Sequence, residues 1–321
     1  MKPEVFAEKL QEARAQVGTV IVGQQDLVST VLMATLCEGH VLLEGVPGLG
    51  KTKLLATLGH VLDVEFGRIQ FTPDLMPADI LGTKVLEEGT FRFHRGPVFA
   101  NLVLADEINR ATPKTQSALL EAMQEHKVTL GGETHLLPRP FMVMATQNPI
   151  EQEGTYPLPE AQLDRFLVKA LVKFPPPEDL VEILKRTTAG AEAEPKAVLD
   201  GKILQQMTLM VRELPAATHL LHYAATLAGA THPDSEASPP GIRKYVRNGA
   251  SPRGAQAMTL MGKAAALMDG RSNLAAEDIW NVAKPCLRHR LVLGYEAIAD
   301  GVTSDELVDE VLSAHPVPVV D

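Results

Sequence analysis

A glycine-rich run near residue 50 has the residue types and spacing of a phosphate-binding loop. In Gly45-Val46-Pro47-Gly48-Leu49-Gly50-Lys51-Thr52, two glycines bracket four residues and are followed by a lysine and a hydroxyl residue. Backbone N–H groups of such a loop wrap a phosphate, and the helix that follows favours anions. We expect Lys51 to reach the β and γ phosphates of ATP and Thr52 to bind Mg²⁺. The loop residues assigned to the nucleotide are Gly45, Pro47, Gly48, Gly50, Lys51 and Thr52. The alternative is a purely structural glycine-rich turn.

Two neighbouring carboxylates follow an apolar segment at residues 102–105. A buried strand does not ordinarily end in paired acids unless a cation meets them. Asp106 is predicted to hold Mg²⁺, directly or through water, and Glu107 to activate the attacking water as general base. A kinase has less need of the second acid, so the pair favours ATP hydrolysis over an ordinary acidic strand end.

A second apolar segment, residues 141–145, leads into the polar run Thr146-Gln147-Asn148-Pro149. An amide at the end of this strand would lie between the two preceding motifs. Asn148 is therefore predicted to face the γ-phosphate and the attacking water. Its alternative role is to open a turn before Pro149.

Two arginines could meet the charge that develops during phosphoryl transfer. Arg165 precedes the last predicted strand and could be supplied to a neighbouring subunit's site, or could pair locally with Asp164 or Glu160. Arg253 lies in a predicted first helical turn, where a cation has the wrong sign for the helix dipole. It is therefore predicted to face an anion, and a surface arginine is the alternative.

Three other basic residues have less defined predictions. Arg110 could reach across a subunit interface or pair with an acid, and both possibilities stay open. His289 and Arg290 are interpreted as structural or surface residues.

The elements that would position these residues alternate between apolar and helical segments, which indicates a parallel sheet covered on both faces. Strands are predicted at Val41–Glu44, 65–70, 102–105, 141–145 and 169–172, and helices at 25–37, 51–62 and 114–125. Hairpins are predicted at 85–93 and 128–136.

Three prolines at 175–177 indicate a linker, with a helix starting near Glu178. The predicted division is therefore an α/β nucleotide-binding core at residues 1–174 and a helical domain at residues 178–321. Within the second domain the pattern is helical only, with helices at 255–268 and 277–287. A long loop is predicted at 229–253.

Composition narrows the possible functions. The chain has 321 residues and a net charge of −10, which argues against general nucleic-acid affinity. Four tyrosines and one tryptophan offer no platform for stacking bases. No segment approaches the roughly 20 apolar residues of a membrane span. Two distant cysteines do not form a disulfide framework, so a cytoplasmic protein is predicted.

The longer motifs resemble the MoxR family of AAA+ ATPases. They are Asp106-Glu107-Ile108-Asn109-Arg110-Ala111, its continuation to residue 125, residues 145–166, and Gly249-Ala250-Ser251-Pro252-Arg253. The resemblance implies an AAA+ P-loop core with a five-stranded parallel sheet of order 5-1-4-3-2, a C-terminal α-helical lid, and a hexameric ring with ATP between subunits. It assigns Asn148 as sensor 1, Arg165 as the trans arginine finger and Arg253 as sensor 2. It also places Val22, Gly23 and Gln24 near the adenine.

The resemblance further implies a chaperone-like motor that acts on a protein client, often with a von Willebrand factor A-domain partner. It places both hairpins near a central pore. Residues 231–248 look longer than is usual in the family. Three alternatives stay open: the motor subunit of a metal-chelatase-like complex, a nucleotide-gated scaffold with little turnover, and a nucleic-acid motor, against which the composition argues.

Overall fold

The protein is described by a computed structural model over residues 1–45, 48–147, 154–188 and 194–318. It forms two compact units, which we call the core unit (residues 9–158 and 170–208) and the helical unit (residues 1–8, 159–169 and 209–321). The sequence boundary near residues 174–178 stays a prediction, and the two units divide the chain at other residues. Residues 178–208, predicted to begin the helical domain, belong to the core unit.

The first two thirds of the chain contain eight helices and nine strands among the residues described. In chain order they are α1 (Pro3–Val20), α2 (Gln25–Leu36), β1 (Val41–Glu44), α3 (Lys51–Val61), β2 (Phe66–Gln70), α4 (Pro77–Leu81), β3 (Gly82–Glu87), β4 (Thr90–Arg95), β5 (Leu102–Asp106), α5 (Pro113–Glu125), β6 (Lys127–Leu130), β7 (Glu133–Leu136), β8 (Met142–Gln147), α6 (Glu160–Leu163), β9 (Val168–Leu171), α7 (Pro177–Thr188) and α8 (Gly201–Glu213). A 3-10 turn, Ile108–Arg110, follows β5.

The remaining elements complete the helical unit. They are α9 (Thr218–Gly229), α10 (Pro240–Tyr245), β10 (Val246–Asn248), α11 (Pro252–Met268), α12 (Ala276–Leu287), β11 (Val292–Leu293), α13 (Tyr295–Asp300) and α14 (Ser304–Ala314). Within the described part of the chain, no helix combines the length and the apolar character needed to cross a bilayer.

The main sheet is parallel and has the order β2-β5-β8-β1-β9. The five strands β1, β2, β5, β8 and β9 can be renumbered 1 to 5 in chain order. Read from the β9 edge, the sheet then has the order 5-1-4-3-2 that the resemblance implied. All five predicted strands are confirmed, with ends that differ by one or two residues. The apolar side chains of β1, β5 and β8 are buried, as expected for strands covered on both faces, while Leu171 in β9 is exposed.

Parallel pairing brings the carboxyl ends of the strands to one edge of the sheet. Glu44 is paired with Gln147, and Gln70 with Asp106. The polar residues that follow the apolar strands are thereby gathered at this edge, which is where the candidate site lies.

The prediction of a long loop at residues 229–253 was wrong. This stretch contains α10 and β10, and β10 pairs antiparallel with β11. The prediction of an exclusively helical second domain fails for the same reason. Pro240 can occupy the first position of a helix, and buried Ile242 and Val246 anchor the two short elements. Elements this short leave no readable hydrophobic period.

Both predicted hairpins are confirmed. Strands β3 and β4 turn at Glu88 and Gly89, which have φ of 49° and 82°, as a tight hairpin turn requires. Strands β6 and β7 turn at Gly131 and Gly132.

The hairpins also contact each other. The ring of Phe93 stacks on that of His135 with centroids 4.1 Å apart, and Lys84 Nζ lies 2.9 Å from Glu133 Oε1. The two hairpins therefore form one joined structure on the core unit.

Candidate active site

A cavity of about 410 Å³ opens at the carboxyl edge of the main sheet, entirely within the core unit. Its walls combine a glycine-rich loop, the first turn of α3 and the ends of β2, β5 and β8. The lining residues are Gly45, Gly48, Gly50, Lys51, Thr52, Lys53, Arg68, Gln70, Asp106, Glu107 and Thr146. The two motifs singled out in the sequence therefore meet in one cavity.

Glycine is required in the loop for two different reasons. Gly48 and Gly50 have φ of 83° and 75°, in the left-handed region that side chains rarely adopt. At Gly45 the need is spatial, because a Cβ would lie 2.8 Å from the carbonyl oxygen of Val172. Pro47, also assigned to the nucleotide, lies outside the described residues.

Lys51 begins α3 at the edge of the cavity, with Thr52 next to it. The Lys51 Nζ donates a hydrogen bond to the carbonyl oxygen of Gly45 at 2.6 Å. Burial lowers the pKa of Lys51 from its ordinary value, and the negative charges of Asp106, Glu107 and Glu44 oppose that shift. The amine therefore lies in a partly desolvated position facing two acids, where an anionic ligand would hold it charged.

The two acids at the end of β5 are both fixed by Thr146, the buried penultimate residue of β8. The Thr146 hydroxyl donates to Asp106 Oδ1 at 2.8 Å and accepts from the backbone N–H of Glu107, also at 2.8 Å. Thr146 itself is only 2% exposed. The hydroxyl thus holds the side chain of one acid and the backbone of the other.

Two residues of β2 approach the same acids from the other side. Arg68 Nη2 donates to Asp106 Oδ2 at 2.9 Å and to Gln70 Oε1 at 2.7 Å. Gln70 Nε2 in turn donates to Glu107 Oε2 at 3.0 Å. Arg68 and Gln70 therefore connect the two acids by side-chain contacts.

Glu107 departs from the strand with a left-handed backbone, φ 57° and ψ 50°. Its Oε2 also accepts from Arg110 Nη1 at 3.0 Å. The Arg110 side chain is 43% exposed. Of the two roles left open for Arg110, this contact favours the local ion pair.

Arg68, Gln70 and Thr146 were not identified from the sequence. Arg68 and Gln70 alternate on one strand and so share a face, and Thr146 stands at the end of the segment from which Asn148 was chosen. The available signal was that polar residues at the ends of neighbouring parallel strands converge. Asn148 lies outside the described residues.

The residues predicted near the adenine precede α2. Gln24 Nε2 donates to the carbonyl oxygen of Leu49 in the glycine-rich loop, at 3.4 Å. Gly23 has φ 67°, and a Cβ there would lie 2.3 Å from Asp179 Oδ2. Gly23 and Gln24 therefore lie between the loop and α7.

The other two site arginines belong to the helical unit. Arg253 lies in the first turn of α11, where its N–H is capped by Ser251 Oγ at 3.2 Å, and its Nη1 lies 3.5 Å from Asp164 Oδ2. Within the described residues, neither Asp164 nor Glu160 forms an ion pair with Arg165, and Asp164 pairs instead with Arg253 and Arg290.

Glu160 Oε1 lies 3.7 Å from Nη2 of Arg247. The local-pair alternative for Arg165 is therefore not supported. His289 and Arg290 are both buried, and both donate a hydrogen bond to the carbonyl oxygen of Phe166. These contacts agree with a structural role.

Two family models match this chain, one over the nucleotide-binding region and one over the C-terminal region. The family described as "ATPase family associated with various cellular activities (AAA)" matches residues 40–168, and the "AAA lid domain" matches residues 242–311. The chain is 43% identical to "Chaperone MoxR1" of Mycobacterium tuberculosis, over 97% of this chain and 83% of that protein.

It is 31% identical to "Protein MoxR" of Paracoccus denitrificans, over 97% of this chain and 96% of the relative. The crystal structure of a candidate ATPase from Cytophaga hutchinsonii superposes with a TM-score of 0.93 at 38% identity, covering 99% of this chain and 97% of that one. Sheet order, motifs and full-length similarity agree, and the chain belongs to the MoxR family of AAA+ ATPases.

Proposed function

We propose that this ATPase binds Mg²⁺–ATP in the core-unit cavity and uses its hydrolysis to remodel a protein client, as a chaperone-like motor. The observation that carries the proposal is the pair of acids at the end of β5, held by Thr146 and facing the glycine-rich loop and Lys51. This geometry supplies a phosphate-binding surface and a candidate general base in one cavity.

The residues at the cavity fit a bound magnesium ion. Thr52 offers a hydroxyl and Asp106 a carboxylate, and such oxygen donors are those that Mg²⁺ prefers. When bound with the nucleotide, Mg²⁺ neutralises charge on the phosphate oxygens.

Groups of the chain itself bind the phosphates and activate the attacking water. The loop N–H groups and Lys51 hold the phosphates, while Glu107 accepts a proton from the water that attacks the γ-phosphorus. The bond to the β-phosphate oxygen breaks, and the products are ADP and phosphate. Asn148 is proposed to orient the water.

Two arginines of the helical unit have proposed roles in hydrolysis, as the family resemblance implies. Arg253 is proposed to contact the nucleotide of its own subunit, and Arg165 that of a neighbour in a ring of identical subunits, hexameric in this family. The support for Arg165 is that the acids nearest to it in sequence are engaged by other arginines. A positive charge supplied in trans stabilises the charge of phosphoryl transfer.

The joined hairpins are the proposed contact with the client. Leu86 and Phe91 are opposite each other in the β3–β4 register and are 60% and 67% exposed. Large apolar side chains exposed side by side indicate a surface that binds another protein. A von Willebrand factor A-domain protein is the proposed partner, on the strength of the family alone.

The test of the shared site is ATP turnover by Glu107→Gln and Arg165→Ala, each alone and then mixed. Each variant alone is expected to lose at least about 100-fold in turnover. The mixture is expected to recover activity, because a subunit with Glu107 then meets a neighbour with Arg165. Glu121→Gln, an exposed acid on α5, is the control and keeps full activity.

Two results would contradict the proposal. Normal hydrolysis by Glu107→Gln would remove the general-base assignment. A mixture that stays inactive while its subunits exchange would remove Arg165 as the trans arginine.

A further inference from the structure

Asp164, the residue before Arg165, forms an ion pair in the helical unit with Arg290, which is buried. Arg290 Nε donates to Asp164 Oδ1 at 2.9 Å, and the two side chains are 3% and 19% exposed. Neither residue belongs to the cavity of the core unit. Burying the charge of Arg290 is expensive in desolvation, so the pair need not add to stability and could instead hold a particular geometry.

The guanidinium of Arg290 also binds the backbone on both sides of Arg165. It donates to the carbonyl oxygens of Asp164 at 3.2 Å, Phe166 at 2.7 Å and Leu167 at 3.2 Å. A further hydrogen bond reaches the carbonyl oxygen of Cys286 in α12. The planar fork of an arginine can satisfy such a set of acceptors, whereas a lysine cannot. Arg290 therefore joins two parts of the chain by hydrogen bonds. One is the backbone around Arg165, and the other is the end of α12.

The carboxylate of Asp164 extends the same set of contacts to Arg253. Ser251 Oγ lies 2.8 Å from Asp164 Oδ2 and 3.0 Å from Oδ1, so the hydroxyl donates to the carboxylate. The same oxygen accepts from the backbone N–H of Arg253. Arg253 Nη1 approaches Asp164 Oδ2 at 3.5 Å. The start of α11 is therefore tied to the segment that carries Arg165.

We infer that Asp164, held by Arg290, is a positioning residue for both Arg165 and Arg253. This inference rests on the proposed function, in which Arg165 acts on a neighbour's nucleotide and Arg253 on its own. One carboxylate then sets the placement of two cations that serve two different nucleotides. A displacement of the start of α11 is transmitted to Arg165 through Ser251 and Asp164, which links the state of one site to the next.

The decisive variant is Asp164→Asn, which keeps the shape of the side chain and removes its charge. We expect kcat to fall and the KM for ATP to rise, each by about tenfold, because charge-assisted hydrogen bonds on both sides weaken. Mixed with Glu107→Gln subunits, the Asp164→Asn subunits meet an intact Arg165 from the neighbour. The kcat per active site is then expected to recover, while the KM stays raised because Arg253 of the same subunit is still misplaced.

Ser251→Ala is a milder second variant. It removes the link to Arg253 and leaves the Asp164–Arg290 pair in place, so it is expected to raise the KM with little change in kcat. In the double variant Asp164→Asn with Arg253→Ala, the KM is expected to equal that of Arg253→Ala alone.

The control is Asp278→Asn. Asp278 is 4% exposed and accepts from Arg271 Nη1 at 2.8 Å, so it forms another arginine–carboxylate pair at the start of the same α12, with the acid buried and the arginine 36% exposed. Its loss is expected to lower the unfolding temperature as Asp164→Asn does, without changing kcat or KM.

Several outcomes would overturn the inference. Full recovery of both kcat and KM in the mixture would mean that Asp164 serves Arg165 alone, and no recovery of kcat would mean that it does not serve Arg165. Wild-type kinetics in Asp164→Asn, with Glu107→Gln inactive, would reject the positioning role and leave the proposed function standing. Turnover by Glu107→Gln would instead reject the proposed function.

Discussion

Two charged clusters in this ATPase differ in the burial of their arginines, while the acids that these arginines contact are 19–20% exposed in both clusters. In the core-unit cavity, Arg68 contacts Asp106 with a side chain that is 48% exposed, and Arg110 contacts Glu107 with one that is 43% exposed. In the helical unit, Arg290 is 3% exposed and its guanidinium is surrounded by one carboxylate and several backbone carbonyls.

The difference separates charges that receive a ligand from charges that hold a geometry. Exposed ion pairs contribute about 0–1 kcal/mol, so an incoming phosphate or cation can replace them. Removing one partner of a buried pair costs about 3–5 kcal/mol, so that pair does not exchange partners. The cavity cluster is therefore adapted to rearrange during turnover, and the Asp164–Arg290 pair is not.

The largest effect should come from breaking the buried cluster. Arg290→Ala removes the buried guanidinium from Asp164, which keeps only Ser251 and the more exposed Arg253, and is expected to lower the free energy of unfolding by about 3–5 kcal/mol. Chemical denaturation followed by circular dichroism measures this loss. Arg212→Ala, in the last turn of α8 and exposed, is the control and should change stability by less than about 0.5 kcal/mol. A loss below about 1 kcal/mol in Arg290→Ala would remove the contrast between the clusters.

The next largest effect should be on ATP binding in the core-unit cavity. Lys51→Ala removes the amine that faces the phosphates and is expected to weaken ATP binding by about 100-fold, because charge-assisted hydrogen bonds are lost. Titration with a fluorescent ATP analogue gives the affinity. Lys202→Ala, exposed on α8 of the same unit, should bind as the unaltered protein does. An affinity within threefold of the unaltered protein's in Lys51→Ala would contradict the phosphate-binding role.

Acidification should lower the stability of both units, because each contains a buried histidine. Burial lowers the pKa of His40 in the core unit to about 4, and it lowers that of His289 in the helical unit well below the ordinary value. Each histidine stays neutral when folded, while the unfolded chain takes up a proton below about pH 6.5. The stability that each contributes is therefore present above pH 6.5 and is lost as the pH falls below it, for His40 down to about pH 4.

The expected loss from His40 approaches about 1.4 kcal/mol per pH unit within this window. Denaturation at pH 7 and pH 5 should show a shallower pH dependence in His40→Asn than in the unaltered protein. Equal slopes in the two proteins would show that His40 does not titrate in this way.

The smallest effect should come from Arg68→Ala. Removing an exposed cation from Asp106 is expected to lower the Mg²⁺ concentration for half-maximal turnover by up to about fivefold, since such a pair contributes about 0–1 kcal/mol. Stability should change little, in contrast to Arg290→Ala. A higher Mg²⁺ requirement would mean that Arg68 assists the cation instead of competing with it.

The core could be predicted from sequence where local patterns carry the information. Continuous apolar strands and the glycine-rich loop identified the sheet and placed Lys51, Asp106 and Glu107, all of which line the cavity. Arg68 and Gln70 could not be identified in this way. Their contact with the acids depends on the pairing of β2 with β5, which sets Gln70 opposite Asp106 and is a tertiary property.

The helical unit was less predictable for a similar reason. Nothing in Arg288-His289-Arg290 distinguishes a buried guanidinium from a surface one, because its acceptors are carbonyl oxygens that any residue could supply. The short elements α10 and β10 were missed because prolines and glycines, which ordinarily mark loops, here start a helix.

The position of β2 at the edge of the main sheet has an evolutionary consequence. Arg68 and Gln70, which touch both acids, lie on a strand with one neighbour only and are exposed. Substitutions at exposed positions usually change stability by less than about 0.5 kcal/mol. Selection can therefore alter the rate of ATP hydrolysis at these two positions while the fold is left intact, so that related chains could hydrolyse ATP at different rates on one scaffold.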